Sequence, residues 1–216
     1  MKKKTKALKL TLVISVLLII GLVVFLVIPK EITERNYFNA IKNGFTKQVQ
    51  QTQILENNYI VYEKTEMLVI DNNKAYHKIT TKTLATSGDE LYEIKETEYY
   101  YFENKIYYKS NNVWNIEEFK VNENLKEYNF KSEYFDNLNY DKQITEFGTL
   151  TANIKNENIK DVFNEENNFT NVSLEIIVNI NFKIQELNFV GKTEFNRDFV
   201  INNLFTHNTE SVTLPI

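Results

Sequence analysis

Residues Leu10 to Ile28 form an uncharged apolar run of 19 residues, LTLVISVLLIIGLVVFLVI, directly after the basic leader MKKKTKALK. No other stretch limits the fold so tightly. At about 1.5 Å per residue it makes a helix of roughly 28 Å, the thickness of a bilayer's hydrocarbon core. A cleaved secretory signal would carry a shorter apolar region and small residues at its cleavage site. Here the run ends in Val27, Ile28, Pro29 and Lys30 with no such triplet. A lipoprotein signal would need a cysteine, and the chain has none. The run therefore reads as an uncleaved signal-anchor, a single transmembrane helix over 10–28. Lys2, Lys3, Lys4, Lys6 and Lys9 keep the leader 1–9 cytoplasmic. Residues 30–216 are then expected outside the cell membrane as one domain, since Pro occurs only at 29 and 215 and no linker composition interrupts them.

Charge and composition exclude several functions for that outer part. With the five leader lysines set aside, the formal charge of −4 becomes −9, the wrong sign for a nucleic-acid binder. A chain of this length buries about 70% of its unfolded surface and needs no disulfides. Without cysteine there is no thiol nucleophile and no Cys-based metal site.

Local patterning predicts an α+β fold. Ile32, Phe38, Ile41, Phe45 and Val49 share a helical stripe, which predicts an amphipathic helix over 31–53. The period then drops to two. Strands are predicted over 58–70, 75–86, 90–103, 106–109 and 113–116, separated by Asp71-Asn72-Asn73-Lys74, Ser87-Gly88-Asp89, Asn104-Lys105 and Asn111-Asn112. Strands joined by such short turns form an antiparallel meander. One or two short helices are expected within 121–142, a strand over 143–154 and a helical stretch over 157–165. Further strands are expected over 172–179, 182–194, 197–205 and 212–216. Gln185-Glu186 interrupts the alternation between Ile184 and Leu187 and predicts a bulge.

This order resembles the LolA-like superfamily of extracytoplasmic proteins, in particular its LppX/LprG-type branch. The matching features are Tyr99-Tyr100-Tyr101-Phe102, the hairpin Glu103 to Tyr108, Trp114, and the closing stretch from Phe205 to Thr213-Leu214-Pro215. The resemblance implies an open, strongly curved antiparallel sheet, a half-barrel with a few helices on its concave face. It also implies room for an acyl chain or the lipid end of another molecule, and no catalytic residue. The chain departs from the branch in lacking the lipobox cysteine, so a helix replaces the acyl anchor.

Chemistry-bearing motifs are scarce. His77 and His207 are the only histidines, Asp71-Asn72-Asn73 is explained as a turn, and no G-x-S-x-G elbow or phosphate-cradling glycine loop occurs. Glu63, Glu66, Glu93, Glu96 and Glu98 are expected on a solvated strand face. No metal, cofactor or catalytic residue is expected, and the protein reads as a non-enzyme. Asn168-Phe169-Thr170 and Asn171-Val172-Ser173 match glycosylation acceptors by chance in an asparagine-rich chain. More telling are strand segments apolar on both faces, because something must cover the second face. The chain's own helices are the ordinary cover, and an apolar ligand is the other. The residues expected to line such a site are Phe38, Ile41 and Phe45 from the helix, with Tyr62, Tyr100, Phe102, Tyr107, Trp114 and Ile177 from the strands. The expected partner is a membrane lipid or apolar ligand. The alternative is a sensory or scaffold ectodomain that meets another envelope protein.

Overall fold

The computed structural model describes residues 31–42, 44–84, 91–110, 113–118, 128–163, 168–208 and 210–215. The apolar run 10–28 and the turns 87–89 and 111–112 lie outside the described residues. Among the described residues no helix is long and apolar enough to cross a membrane.

The predicted meander is present. Strands β1 (Lys47–Glu56), β2 (Tyr59–Asp71), β3 (Lys74–Leu84), β4 (Tyr92–Phe102), β5 (Lys105–Ser110) and β6 (Val113–Glu118) follow one another. Asn57 and Asn58, then Glu103 and Asn104, take positive φ, as two-residue hairpin loops require. The later strands are β7 (Phe135–Tyr140), β8 (Phe147–Ile154), β9 (Thr170–Asn179), β10 (Ile184–Lys192) and β11 (Asp198–Thr206). All pairings are antiparallel, and the 11 strands form one open sheet ordered β6-β5-β4-β3-β2-β1-β11-β10-β9-β8-β7. The first and last strands thus meet in the middle, where β1 pairs with β11. The bulge expected at Gln185-Glu186 is a register shift between Ile184 and Glu186.

Among the described residues two short helices, α1 (Glu34–Lys42) and α2 (Ile159–Phe163), accompany the sheet. Thr33 precedes α1, and Asn36 Oδ1 reaches back to accept the Thr33 backbone N–H at 2.9 Å and its hydroxyl at 3.1 Å. The helix expected over 31–53 is corrected: α1 stops at Lys42, and 47–56 is a strand. Val49 fits the helical stripe, but with β2 on one side and β11 on the other the 47–56 backbone gains two ladders, which outweigh the spacing. The helices expected in 121–142 are corrected where the structure describes them. Only Ser132–Tyr134 makes a 3-10 turn, and Phe135–Tyr140 is an edge strand whose register slips at Asn137, with φ 52°. The strand expected over 212–216 is not formed by the described residues. That stretch crosses the sheet instead, where the Val212 N–H donates to Asp71 Oδ2 at 3.1 Å and Lys47 pairs with Glu210 at 3.1 Å.

The main buried cluster occupies one half of one face, and Leu68, Val69 and Val212 are buried apart from it. Phe199 and Ile201 of β11, Leu187 and Phe189 of β10, Leu174 and Ile176 of β9 and Leu150 of β8 point to the same side. Tyr37 and Phe38 of α1, Phe130, and Val162 and Phe163 of α2 cover them. Phe38 stacks on Phe130 at 5.7 Å and on Phe135 at 5.1 Å. No residue of β2–β6 belongs to this cluster.

Candidate functional site

Residues paired across antiparallel strands share a face, so the registers carry the core side outward from β11. Phe205 pairs with Gln48, Gln48 with Leu68, Leu68 with His77, His77 with Tyr99, and Tyr99 with Tyr108. The row above it runs Ile70, Ala75, Tyr101, Ile106. The helix-bearing side of β2–β6 thus carries an aromatic and aliphatic lining beside the core. His77 lies 6.2 Å from the Tyr99 ring, and Tyr99 lies 6.5 Å from Tyr101 and 6.3 Å from Tyr108. Burial pushes the Tyr101 hydroxyl up to about 12.

A polar seam separates this lining from the core. It consists of Gln48, Gln50 and Thr52 of β1 with Asn203 of β11. Asn203 is fully buried, its Nδ2 donates to the Leu187 carbonyl at 2.7 Å, and its Oδ1 accepts from Gln48 Nε2 at 2.9 Å. Buried Gln50 accepts from the Tyr128 hydroxyl at 3.3 Å and reaches Glu66 at 3.4 Å. Glu66 also pairs with Lys64 at 2.9 Å and faces His77 Nε2 at 3.5 Å. The solvated face expected for Glu66 is corrected, because its side chain is only 15% exposed. Register puts it opposite Gln50, on the helix-bearing side. The arrangement offers a charged and hydrogen-bonding margin beside an apolar floor, the chemistry that an amphipathic molecule requires.

The nine residues expected to line a site divide between the two faces. Phe38 is buried in the core, with Ile41 and Phe45 packed against it, and Phe45 meets Phe205 at 5.2 Å. Tyr62, opposite Ile54 and Thr83, lies on the helix-bearing side. Tyr100, Phe102, Tyr107 and Trp114 lie on the other side, as does Ile177 opposite Thr149 and Glu186. Tyr76, Tyr100 and Trp114 form a ring track there, with centroids 4.9 Å and 5.7 Å apart. The track ends in a groove of about 320 Å³ between Met67, Val69, Tyr76 and Tyr100 and the crossing stretch Glu210 to Thr213. The lining residues Leu68, His77, Tyr99, Tyr101, Ile106 and Tyr108 are not among the nine expected, although all but His77 fall in strand segments whose sequence is apolar on both faces. In the run Tyr99 to Phe102 only the register distinguishes the faces.

No family model matches the sequence, and no curated protein matches it. Among solved structures the chain is similar to lipoprotein LppX of Mycobacterium tuberculosis, at 9% identity and a TM-score of 0.41, covering 82% of this chain and 94% of that one. It is also similar to LprF of Mycobacterium bovis, at 7% identity and a TM-score of 0.42, covering 86% and 98%.

Among the described residues no three His, Asp or Glu side chains gather as a metal site. His207 Nε2 lies 2.7 Å from the Ile184 carbonyl, at the end of β10. A second cavity, of about 470 Å³ beside β7–β9, is lined mainly by polar groups including Asp136, Asn153, Lys155 and Ser173.

Proposed function

We propose that this protein is a membrane-tethered extracytoplasmic binding protein that holds or hands over a lipid or other apolar ligand on the helix-bearing side of β2–β6. The observation that carries this reading is that the main buried cluster lies on the β7–β11 half and its helices, while the same face of β2–β6, buried only at Leu68, continues as a half-buried aromatic lining. The apolar floor accepts a chain, and the margin of Glu66, Lys64, His77 and Gln50 accepts a polar end. The apolar run 10–28 and its lysines supply the tether, the cytoplasmic amino terminus and nearness to lipid. The task is binding, not turnover. Protein freed of residues 1–29 is expected to carry lipid through purification, and mass spectrometry of its solvent extract is the test. An empty extract from folded protein sinks the reading.

One observation favours a second reading, an ectodomain that meets another envelope protein. Edge strand β6 exposes Val113 at 63% and Ile116 at 61%, and a sheet edge with exposed apolar side chains can accept a partner strand. Crosslinking in intact cells that captures one protein through position 116 would support it.

A further inference from the structure

Ile32 marks where the chain joins the fold. Its N–H donates to the Lys142 carbonyl at 3.1 Å, within the connection between β7 and β8. Only Pro29, Lys30 and Glu31 separate it from Ile28, so it lies within about 14 Å of the end of the apolar run even if the chain is fully extended. The β7–β8 connection shares one end of the sheet with the β9–β10 turn, because Phe147 pairs with Asn179 and the Ile180 N–H donates to the Glu146 carbonyl at 3.0 Å. Two large apolar side chains project there, Phe147 at 55% exposure and Ile180 at 56%.

The turn that carries Ile180 is firmly built. Asn179 Oδ1 accepts the N–H groups of Asn181 and Lys183 at 3.0 and 3.1 Å. Phe182 takes φ 53°, a costly conformation for a bulky residue, and its ring meets Tyr37 edge-on at 6.3 Å. One apolar side chain of the turn is thus anchored in the core while its neighbour Ile180 is held outward.

We infer that this end of the sheet is the membrane-proximal end, and that Phe147 and Ile180 dip into the interfacial layer of the same bilayer that the tether spans. The inference rests on the tether proposed above and adds which surface faces the lipid. Lys142 and Lys183 are offset by Glu31 and Glu146, so the contact is apolar and independent of anionic lipid. The opposite end, where the β10–β11 turn exposes Phe195 at 74%, stands a strand length of about 30 Å away. Tyr59 is exposed at that far end as well, and both ends could touch lipid only if the sheet lay flat.

The chain has no cysteine, so Phe147→Cys, Ile180→Cys and Phe195→Cys each place one fluorophore at an exposed position. The full chain is reconstituted in phosphatidylcholine vesicles that contain a quencher-bearing lipid, and flotation is measured alongside. Severalfold stronger quenching at 147 and 180 than at 195, unchanged by salt, is the expected result. Equal quenching at 195, or none at 147 and 180 in protein that floats with the vesicles, overturns this orientation and leaves the tether standing. Protein that does not float refutes the tether, and the orientation falls with it.

Discussion

The Tyr37 hydroxyl donates a 2.9 Å hydrogen bond to the Asp141 carbonyl, 104 positions away, and ties α1 to the β7–β8 connection. Tyr37 has no exposed surface but Asp141 lies at the surface, so Tyr37→Phe removes a part-buried hydrogen bond whose acceptor can turn to water, and lowers stability by about 1 kcal/mol. Burial first, and then the Asp141 charge, push this hydroxyl from 10.0 up to about 12. The folded state therefore favours the neutral phenol. Its contribution is whole below the unfolded value of 10.0 and is lost as pH rises through about 12. Tyr76 and Tyr101, raised to about 12 chiefly by burial, act over the same window. Urea midpoints measured from neutral pH upward should fall through that window, and less steeply in Tyr37→Phe. An unchanged slope would show that Tyr37 titrates as it does when unfolded.

Gly148 sits under the same hydroxyl. A Cβ there would stand 2.6 Å from Tyr37 Oη and 2.5 Å from Ile144 Cδ1. Gly148→Ala is expected to cost about 1–3 kcal/mol, because the hydroxyl is held in place and cannot swing aside. Removing the hydroxyl relieves part of the clash. The double variant Gly148→Ala with Tyr37→Phe should therefore cost less than the sum of the singles, a coupling that thermal melts can resolve. Strict additivity would place the strain on Ile144 alone.

These residues also show what sequence alone could reveal. The β2–β5 meander was legible because two-residue turns such as Asn72-Asn73 mark strand ends, and Asn tolerates the positive φ seen at Asn72. β1 was not, since Phe45 and Val49 extend the stripe of α1 and the alternation of Gln48, Gln50 and Thr52 is polar on a face that becomes buried. Only pairing with β11, far along the chain, gives Gln48 a partner in Asn203. The same limit applies to the candidate site. Tyr62 is separable from Tyr100 and Trp114 only through register, and a run of four aromatics has no alternation from which to read it.

The polar seam can be tested at Asn203. Asn203→Ala leaves the Gln48 amide without its partner and opens a space between Leu187 and Gln48, so a loss of about 1–3 kcal/mol is expected. Asn203→Asp should be worse, because it buries a charge whose neighbours include the Leu187 carbonyl. Denaturant midpoints would decide, and a neutral Asn203→Ala would show that the seam is hydrated and structurally idle.

Ligand binding separates the two faces. Tyr99 and Tyr101 lie on the helix-bearing side, and Tyr100, between them in sequence, lies on the other. If an acyl chain occupies the proposed lining, Tyr99→Ala and Tyr101→Ala should each weaken binding of a fluorescent fatty acid roughly tenfold, a change of about 1.4 kcal/mol. Tyr100→Ala and Trp114→Ala should leave it within about twofold, since their rings contact each other on the far side. The assignment is sharp because truncations of adjacent residues remove similar aromatic surface from opposite faces. The reverse pattern, with Tyr100→Ala damaging and Tyr99→Ala silent, would move the ligand to the groove between Met67, Val69 and the crossing stretch at Val212. Lys47 and Glu210 would then flank the ligand, and breaking their 3.1 Å pair with Glu210→Gln should change its affinity.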